Sequence, residues 1–229
     1  MKTENTYHVP VMAEEIAEWL LWKKDGVYVD ATLGGGGHTA YLLSKLGAEA
    51  RIIGLDVDQD AIRFASKRFE NESRVFVVNL GYDQIDFILE DLNIQKIDGI
   101  LYDLGISSFQ VDEEEKGFSF MKDAPLDMRF DQTQKLTAEH VVNSYSEQDL
   151  VRIFREYGEE KKSRAIARKI VEIRRLTPIK TTRQLAEIVE KIAGSKQQIK
   201  SLARIFQAIR IEVNREFEKL SESLNKVLD

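Results

Sequence analysis

Four short apolar runs alternate with amphipathic segments over the first half of the chain. The runs are rich in β-branched and aromatic residues, which is typical of buried strands. They cover residues 27–29, 51–56, 75–79 and 97–103. Residues 60–69 and 83–92, which lie between them, carry apolar side chains at helical spacing, and an earlier helix is expected over 11–22. Strands that alternate with helices predict an α/β fold with a Rossmann-like, doubly wound parallel sheet.

The pattern changes after Gly105, where helical spacing replaces the short apolar runs. The three helices expected there cover residues 147–157, 161–175 and 183–193. Ser146 and Thr182 are predicted to cap the first and third of them. A last helix, or a broken pair of helices, is expected over 198–227. The sheet then has four strands, and strand four has a bare edge unless the last helix covers it or the chain is part of a longer protein.

The two patterns predict two domains. Residues 1–112 and 205–229 are expected to form a cofactor-binding sheet domain, and residues 113–204 an inserted all-helical domain for substrate recognition. The net charge of the chain is −6, but residues 151–215 hold 17 Lys and Arg against 7 Asp and Glu. A basic lobe on an acidic body favours contact with nucleic acid, although the same charges could simply be the solvated faces of helices.

The composition excludes several classes of protein. The chain of 229 residues contains no cysteine, which excludes disulfides, thiolate zinc sites and cysteine nucleophiles. With three histidines and no cysteine, we expect no metal site. No apolar run approaches the roughly 20 residues that a membrane span requires, so a cytoplasmic protein without membrane contact is expected. The sequence leaves open whether it is a monomer or a homodimer.

The segment DATLGGGGH, residues 30–38, places four consecutive glycines directly after the first predicted strand. A strand, a glycine loop and a helix form the opening of a nucleotide-type site, where backbone N–H groups face the ligand. Gly35, Gly37 and Ala40 fit the GxGxxA form of the dinucleotide fingerprint, and Asp56 follows where a ribose-binding acid is expected. On these residues alone, an NAD-dependent oxidoreductase is an open alternative.

Three aspartates end predicted strands, namely Asp30, Asp56 and Asp103. Because ligands of open α/β sheets bind outside the carboxyl ends of the strands, we expect these carboxylates around one crevice. They would repel a pyrophosphate but suit a ligand that carries a sulfonium, an ammonium and a ribose diol, with Asp30 accepting from the ammonium. The sequence therefore predicts S-adenosylmethionine as the cofactor.

Six collinear blocks give the chain a specific resemblance. They are DATLGGGGH, GLDVDQDAI, DGILYDLGISSFQ, GFSF, PLDMRFD and FQAIRIEVNRE. Together they resemble the bacterial methyltransferases that modify N4 of a cytosine in the 16S rRNA of the small ribosomal subunit. The resemblance is dense from His8 to Asp131 and resumes at Arg204. Where the family commonly has HPATR, only Arg204 carries over, and the family continues past this point with further strands and an SFHSLEDR-like block.

The resemblance implies a methyltransferase-type sheet domain and assigns cofactor contacts residue by residue. The implied contacts are Gly36, Gly37 and His38 with the methionine part, Asp56 with the ribose, Tyr82 beside the adenine, and Asp103 and Gln110 at the remaining positions. These assignments are expectations for a site that binds S-adenosylmethionine.

Methylation at cytosine N4 also fits the lack of cysteine, because methylation at C5 normally needs a thiolate. The N4 lone pair is delocalised into the ring, and a carboxylate that accepts its N–H bonds would localise that pair. We expect Asp103 to be this acceptor, with Ser107 and Ser108 orienting the substrate. The target nucleotide must be single-stranded or flipped out.

Basic residues crowd the helix predicted over 161–175. They are Lys161, Lys162, Arg164, Arg168, Lys169, Arg174 and Arg175. We expect them to bind phosphates of ribosomal RNA while the sheet domain holds the cofactor. The sequence leaves open a cofactor-binding or RNA-binding module without full turnover, including a fragment of a longer enzyme. It also leaves open the target position, and whether naked RNA or an assembled subunit is the substrate.

Overall fold

The computed structural model describes residues 10–106 and 114–228. The chain divides into two compact units: residues 1–108 with 218–229, here called the sheet unit, and residues 109–217, here called the helical unit. Within the described residues, no helix is both long and apolar enough to cross a membrane.

A four-stranded parallel sheet forms the centre of the sheet unit, with the strand order β3-β2-β1-β4. The strands are β1 Val27–Asp30, β2 Arg51–Leu55, β3 Val75–Val78 and β4 Gly99–Leu101. In the register, Tyr28 pairs with Ile52 of β2 and with Gly99 of β4. The chain runs outward from β1 to β3 and then returns to the other side of β1. The order therefore reverses between β1 and β4, which is where such sheets bind ligands.

Helices cover both faces of this sheet, as the alternation of strands and helices predicts. They are α1 Ala13–Leu20, α2 Gly37–Leu43, α3 Gln59–Arg68 and α4 Ile85–Asp91, the last preceded by a 3₁₀ turn at Tyr82–Gln84. Tyr28 and Ile52 are buried on one face with Leu42 of α2. Val29 and Ile53, the next residues along their strands, are buried on the other face. Successive side chains of a strand point to opposite faces, so both faces bury an apolar layer.

The last helix returns to the sheet unit. Val227 of α10 (Glu216–Leu228) packs against the apolar layer that contains Val29. The hydroxyls of Tyr102 and Ser223 lie 2.6 Å apart, and the Lys226 ammonium donates to Asp86 at 2.8 Å. Of the options that the sequence left open, the structure has the last helix packed beside the end of β4.

The described part of the helical unit contains α5 Ala138–Ser144, α6 Glu147–Glu156, α7 Ser163–Arg174, α8 Thr182–Ala193 and α9 Gln198–Asn214. Ser146 caps α6 as predicted. The predicted cap of α8, Thr182, is wrong: the Thr181 side chain accepts from the Gln184 N–H, and the Gln184 side chain accepts from the Thr181 N–H. This reciprocal pair is a capping box, and Thr182 is instead the first residue of the helix.

The boundaries of the two units differ from the predicted domain boundaries. The predicted step between residues 204 and 205 falls inside α9, which lies wholly in the helical unit. The apolar face of α9, including Leu202, Ile205 and Ile209, is buried, and the helix packs against α6 and α8. Arg215, with φ of 53°, separates α9 from α10, so the chain forms a broken pair of helices. The other predicted boundary, between 112 and 113, lies outside the described residues.

Candidate active site

The glycine loop connects β1 to α2 at the carboxyl end of the sheet. Gly34 and Gly36 have positive φ values of 51° and 71°, which favour glycine. A Cβ atom at Gly36 would collide with the Phe69 ring, whereas one at Gly34 would meet only a backbone oxygen at 4.0 Å. The Arg68 guanidinium donates to the Gly35 carbonyl at 2.8 Å and holds the loop from the α3 side. The loop is thus fixed behind Gly36 and open beside Gly34.

Asp30 ends β1 and is fully buried directly beneath this loop. Its carboxylate accepts from the Thr39 hydroxyl at 2.7 Å and from the Thr32 N–H at 3.3 Å. Burial raises the pKa of Asp30, while the hydrogen bond from Thr39 and the nearby His38 oppose that rise. Since both side-chain oxygens accept hydrogen bonds, Asp30 is held rigidly in the site.

Asp56 follows β2 and accepts a hydrogen bond from the glycine loop. Its Oδ2 accepts from the Gly34 N–H at 2.8 Å, and its Oδ1 accepts from the Asp58 N–H at 2.9 Å. Burial raises the pKa of Asp56 to about 6. A carboxylate offers about four lone-pair positions, so two stay open for the hydroxyls of a ligand.

Asp103 lies two residues beyond β4 and faces the loop from the other side. Its N–H donates to the Thr32 hydroxyl at 2.8 Å, which ties the segment after β4 to the segment after β1. The Asp103 side chain is 50% exposed, and its Oδ2 lies 3.4 Å from Nε2 of His38. Asp103 therefore has a fixed backbone and a carboxylate that solvent or a ligand can reach.

His38 is the second residue of α2 and is only 7% exposed. Its Nε2 faces Asp103, whereas its Nδ1 is buried and has no hydrogen-bond partner among the described residues. A buried nitrogen without a partner costs free energy, and such groups in functional sites commonly receive a ligand. The structure thus joins His38 to the cluster of aspartates that the sequence predicts.

The other predicted cofactor residues have different outcomes. Tyr82 lies in the 3₁₀ turn of the sheet unit, where its ring meets Tyr102 edge-on at 5.7 Å. Ser107, Ser108 and Gln110 lie outside the described residues. Across residues 10–106 and 114–228, no group of three or more His, Asp or Glu side chains is arranged to hold a metal ion.

Two threonines that the sequence analysis missed organise this site. Thr39 donates to Asp30, and Thr32 accepts from the Asp103 N–H. Both threonines flank the glycines in DATLGGGGHT, and their proximity in sequence to Asp30 could have indicated that they belong to the site. The atoms they bond depend on the shape of the loop, which the sequence pattern does not specify.

The predicted basic residues of α7 fall into two groups. Lys162 donates to the Ile192 and Ala193 carbonyls at 2.8 and 2.9 Å, and Arg174 donates to the Val142 and Tyr145 carbonyls at 2.7 and 2.5 Å. These side chains satisfy the carboxyl ends of α8 and α5. Lys169 pairs with Glu172 at 3.1 Å.

The second group is exposed and makes no hydrogen bond or ion pair with the described residues. It consists of Lys161, Arg164, Arg168 and Arg175. Spacings of four and seven residues place Arg164, Arg168 and Arg175 on one face of α7 and its C-cap, and Lys161 lies just before the helix begins. These four residues are here called the basic stripe. Of the seven predicted basic residues, only these four present an uncommitted charge to a ligand.

Comparison with known proteins identifies similar sequences over nearly the whole chain. A family model described as the MraW methylase family matches residues 5–229. A protein of Clostridium botulinum (strain Loch Maree / Type A3), named ribosomal RNA small subunit methyltransferase H, is 50% identical over 219 residues. The match covers 95% of this chain and 71% of that protein. The protein of the same name from Caldicellulosiruptor saccharolyticus is 45% identical, covering 96% and 72%.

A solved structure is also similar in part. It comes from Clostridium thermocellum and is provisionally described as an rRNA methylase. The match has a TM-score of 0.34 and 24% identity, and it covers 42% of this chain and 54% of that one. A likeness of this extent adds nothing to what the sequence relatives show.

Proposed function

Because the chain belongs to the MraW methylase family, we propose that it is an S-adenosylmethionine-dependent methyltransferase acting on N4 of a cytosine in 16S rRNA. The observation that carries the proposal is the cluster of Asp30, His38, Asp56 and Asp103 around the glycine loop. Relatives named for the ribosomal RNA of the small subunit support the substrate class. This substrate would place the protein in the cytoplasm.

The residues present fit the proposed cofactor. When bound, S-adenosylmethionine supplies a methyl group activated by the positive charge of its sulfur. Buried Asp30 and half-exposed Asp103 provide the negative potential that favours a cation at this place. The open lone pairs of Asp56 suit ribose hydroxyls, and Gly34 leaves room beside the loop. Gly36, Gly37, His38, Tyr82 and Gln110 complete the proposed set on the strength of the family resemblance.

Asp103 is the proposed acceptor for the exocyclic amine of the base. Its Oδ2 faces His38, which leaves Oδ1 for an N–H of the substrate. A carboxylate that accepts this N–H draws the nitrogen lone pair out of the ring and then holds the proton that the amine releases. Thr32 keeps the Asp103 backbone in place, so little reorganisation is needed. Ser107 and Ser108 are proposed to orient the base.

The basic stripe is the proposed surface for ribosomal RNA. Arg164, Arg168 and Arg175 span about 17 Å along α7 at 1.5 Å per residue, and Lys161 extends the stripe at its start. Uncommitted guanidinium groups bind phosphates in pairs of hydrogen bonds and give sequence-independent affinity. Lys162 and Lys169 would contribute mainly through their charge, because both already bond within the unit.

The test of this function is the incubation of the protein with labelled S-adenosylmethionine and small ribosomal subunits or naked 16S rRNA. We expect label on one cytosine, and mapping of the modified base gives both position and atom. Label on C5, or on another base, would contradict the proposed chemistry. Calorimetry with S-adenosylmethionine and with NAD tests the cofactor separately, and tight binding of NAD would restore the oxidoreductase alternative.

A second candidate is a cofactor-binding or RNA-binding module without full turnover. In the same experiment, this candidate predicts cofactor binding without transfer of the label to RNA.

A further inference from the structure

His38 lies between the predicted methionine-binding loop and the proposed catalytic carboxylate. One edge of its ring faces Oδ2 of Asp103 at 3.4 Å, and the other edge carries the buried Nδ1 without a partner among the described residues. Asp30 is close enough for the charges of His38 and Asp103 to affect its pKa. The ring thus lies close to two carboxyl groups, yet one of its nitrogens has no partner among the described residues.

The protonation of the two nitrogens follows from these neighbours. A neutral imidazole carries one N–H, and a carboxylate can only accept a hydrogen bond. The hydrogen therefore belongs on Nε2, which faces Asp103. Nδ1 then carries a lone pair and can only accept. A buried acceptor of this kind costs free energy until a donor reaches it, and a bound ligand can supply that donor.

The charges around the ring restrict what that donor can be. A carboxylate from the ligand would meet Asp30 and Asp103 and would offer no hydrogen to Nδ1. An ammonium group supplies the hydrogen and is attracted by both aspartates. S-adenosylmethionine carries one ammonium group, on its amino acid part.

We propose that His38 accepts a hydrogen bond from the cofactor ammonium through Nδ1 and orients Asp103 through Nε2–H, so that cofactor binding positions the proposed acceptor of the substrate amine. This inference rests on the proposed function. His38 is then a positioning residue toward Asp103 as well as a cofactor contact. A ring held at both nitrogens has one orientation, whereas a ring held at one can turn.

Two variants separate the two edges of the ring. In His38→Gln, the amide can reach the place of Nε2 and keep a donor toward Asp103, but nothing remains at Nδ1. In His38→Asn, the shorter amide keeps a polar atom at the place of Nδ1 and loses the reach to Asp103. His140→Gln is the matched control, because His140 is exposed on α5 and belongs to the helical unit.

The first measurement is calorimetric binding of S-adenosylmethionine and of its analogue without the α-amino group. The unaltered protein should bind the analogue at least about tenfold more weakly, as expected for a hydrogen bond to a charged group. His38→Gln should show a difference between the two ligands at least about threefold smaller than the unaltered protein does, although Asp30 and Asp103 still attract the ammonium. His38→Asn should keep much of the preference. Equal binding of the two ligands by the unaltered protein would overturn the inference.

The second measurement is the transfer rate at saturating cofactor. We expect His38→Asn to lose at least about tenfold in rate and His38→Gln to lose less, which is the reverse of their order in ligand preference. Equal losses in both variants, with thermal unfolding unchanged, would mean that His38 is only structural and would contradict the proposal.

Nitrogen chemical shifts of the imidazole give a readout that does not depend on turnover. With three histidines in the chain, the His38 signals are assigned by comparison with His38→Gln. The proposal expects an Nε2–H tautomer in the free protein and a shift of Nδ1 when S-adenosylmethionine binds. An Nδ1–H tautomer would overturn it. If the unaltered protein binds no S-adenosylmethionine at all, the proposed function fails rather than this inference.

Discussion

The two units hold their charged groups in opposite ways. In the sheet unit, Asp30 and Asp56 are held by hydroxyl or backbone donors, and burial raises the pKa of both. In the helical unit, Arg164, Arg168 and Arg175 project from α7 into solvent. Buried charges require fixed partners and so suit one small ligand of defined shape. Exposed charges act over a Debye length and suit a polyanion of variable shape.

The change with the largest expected effect removes the charge of Asp103, the solvent-exposed carboxylate of the candidate site in the sheet unit. Asp103→Asn keeps the shape of the side chain but should lower the rate of methyl transfer about 10²- to 10⁴-fold, because the amide is a far weaker proton acceptor. Affinity for RNA should stay unchanged. Single-turnover transfer and filter binding measure the two effects, with the exposed Asp91→Asn as the control. A loss below about fivefold would remove Asp103 from the acceptor role.

The matching change in the helical unit neutralises the basic stripe. Replacing Arg164, Arg168 and Arg175 by Gln should weaken RNA binding and reduce the slope of log affinity against log salt by about 2 to 3. Binding of S-adenosylmethionine should not change. The control replaces three exposed lysines of the sheet unit by Gln, namely Lys24, Lys45 and Lys96. Equal weakening in both triple variants would mean that net charge matters and the stripe does not.

The third change compares a buried with an exposed hydroxyl. Thr39→Val removes the 2.7 Å donor of buried Asp30 and should lower the free energy of unfolding by about 1–3 kcal/mol. Thr181→Ala removes the exposed cap of α8 and should cost about 1 kcal/mol. Denaturant unfolding measures both. If Thr181→Ala lowers the free energy of unfolding more than Thr39→Val does, the expectation that the buried hydrogen bond contributes more than the helix cap is wrong.

The last change concerns the pH dependence of stability, an effect that disappears at low pH. The pKa of Asp56 is about 6 in the folded protein against an ordinary value of 3.8, so ionising Asp56 costs folding free energy. This cost is absent below about pH 4, grows up to about pH 6 and is constant above it. The difference between about 6 and 3.8, at about 1.4 kcal/mol per pKa unit, amounts to about 3 kcal/mol at pH 7, so Asp56→Asn should raise the free energy of unfolding by up to that amount at pH 7 and by little at pH 4.

Thermal unfolding between pH 4 and pH 7.5 measures the difference, which corresponds to as much as about 6–12 °C at neutral pH for a chain of this length. Asp91→Asn should show no such trend. The amide introduced by Asp56→Asn has one acceptor oxygen instead of two, so binding of the ribose should weaken. If the unaltered protein is more stable than Asp56→Asn at pH 7, the free-energy cost that we assign to burying the Asp56 carboxylate is wrong.

The strands and their acidic ends were predictable because both follow from short-range patterns. An apolar run identifies a strand, and the rule for open sheets places the residue after it at the ligand edge. The ends of β4 were less predictable. Residues 97–103 were expected, but the strand is Gly99–Leu101, and just before it the Asp98 carboxylate accepts from the Val27 N–H at 2.8 Å.

The missed features depend on contacts between distant elements. The roles of Lys162 and Arg174 at the ends of other helices follow from how α5, α7 and α8 pack, which composition alone does not reveal. The cap of α8 was within reach, because Gln184 stands three residues after Thr181 and completes a capping box. Thr181 and Thr182 are the same residue type, so only the three-residue spacing to Gln184 identifies Thr181 as the cap.

The contact between Tyr102 and Ser223 joins residues 121 positions apart, so it can form only after residue 223 has been synthesised. All of the helical unit, residues 109–217, precedes Ser223 in the chain, so a ribosome that synthesises this protein finishes that unit first. The strands of the sheet unit are therefore synthesised well before α10, the helix that packs beside the end of β4. Contacts of such high sequence separation form slowly, so we expect the cofactor-binding unit to complete its folding after the helical unit in a newly made chain.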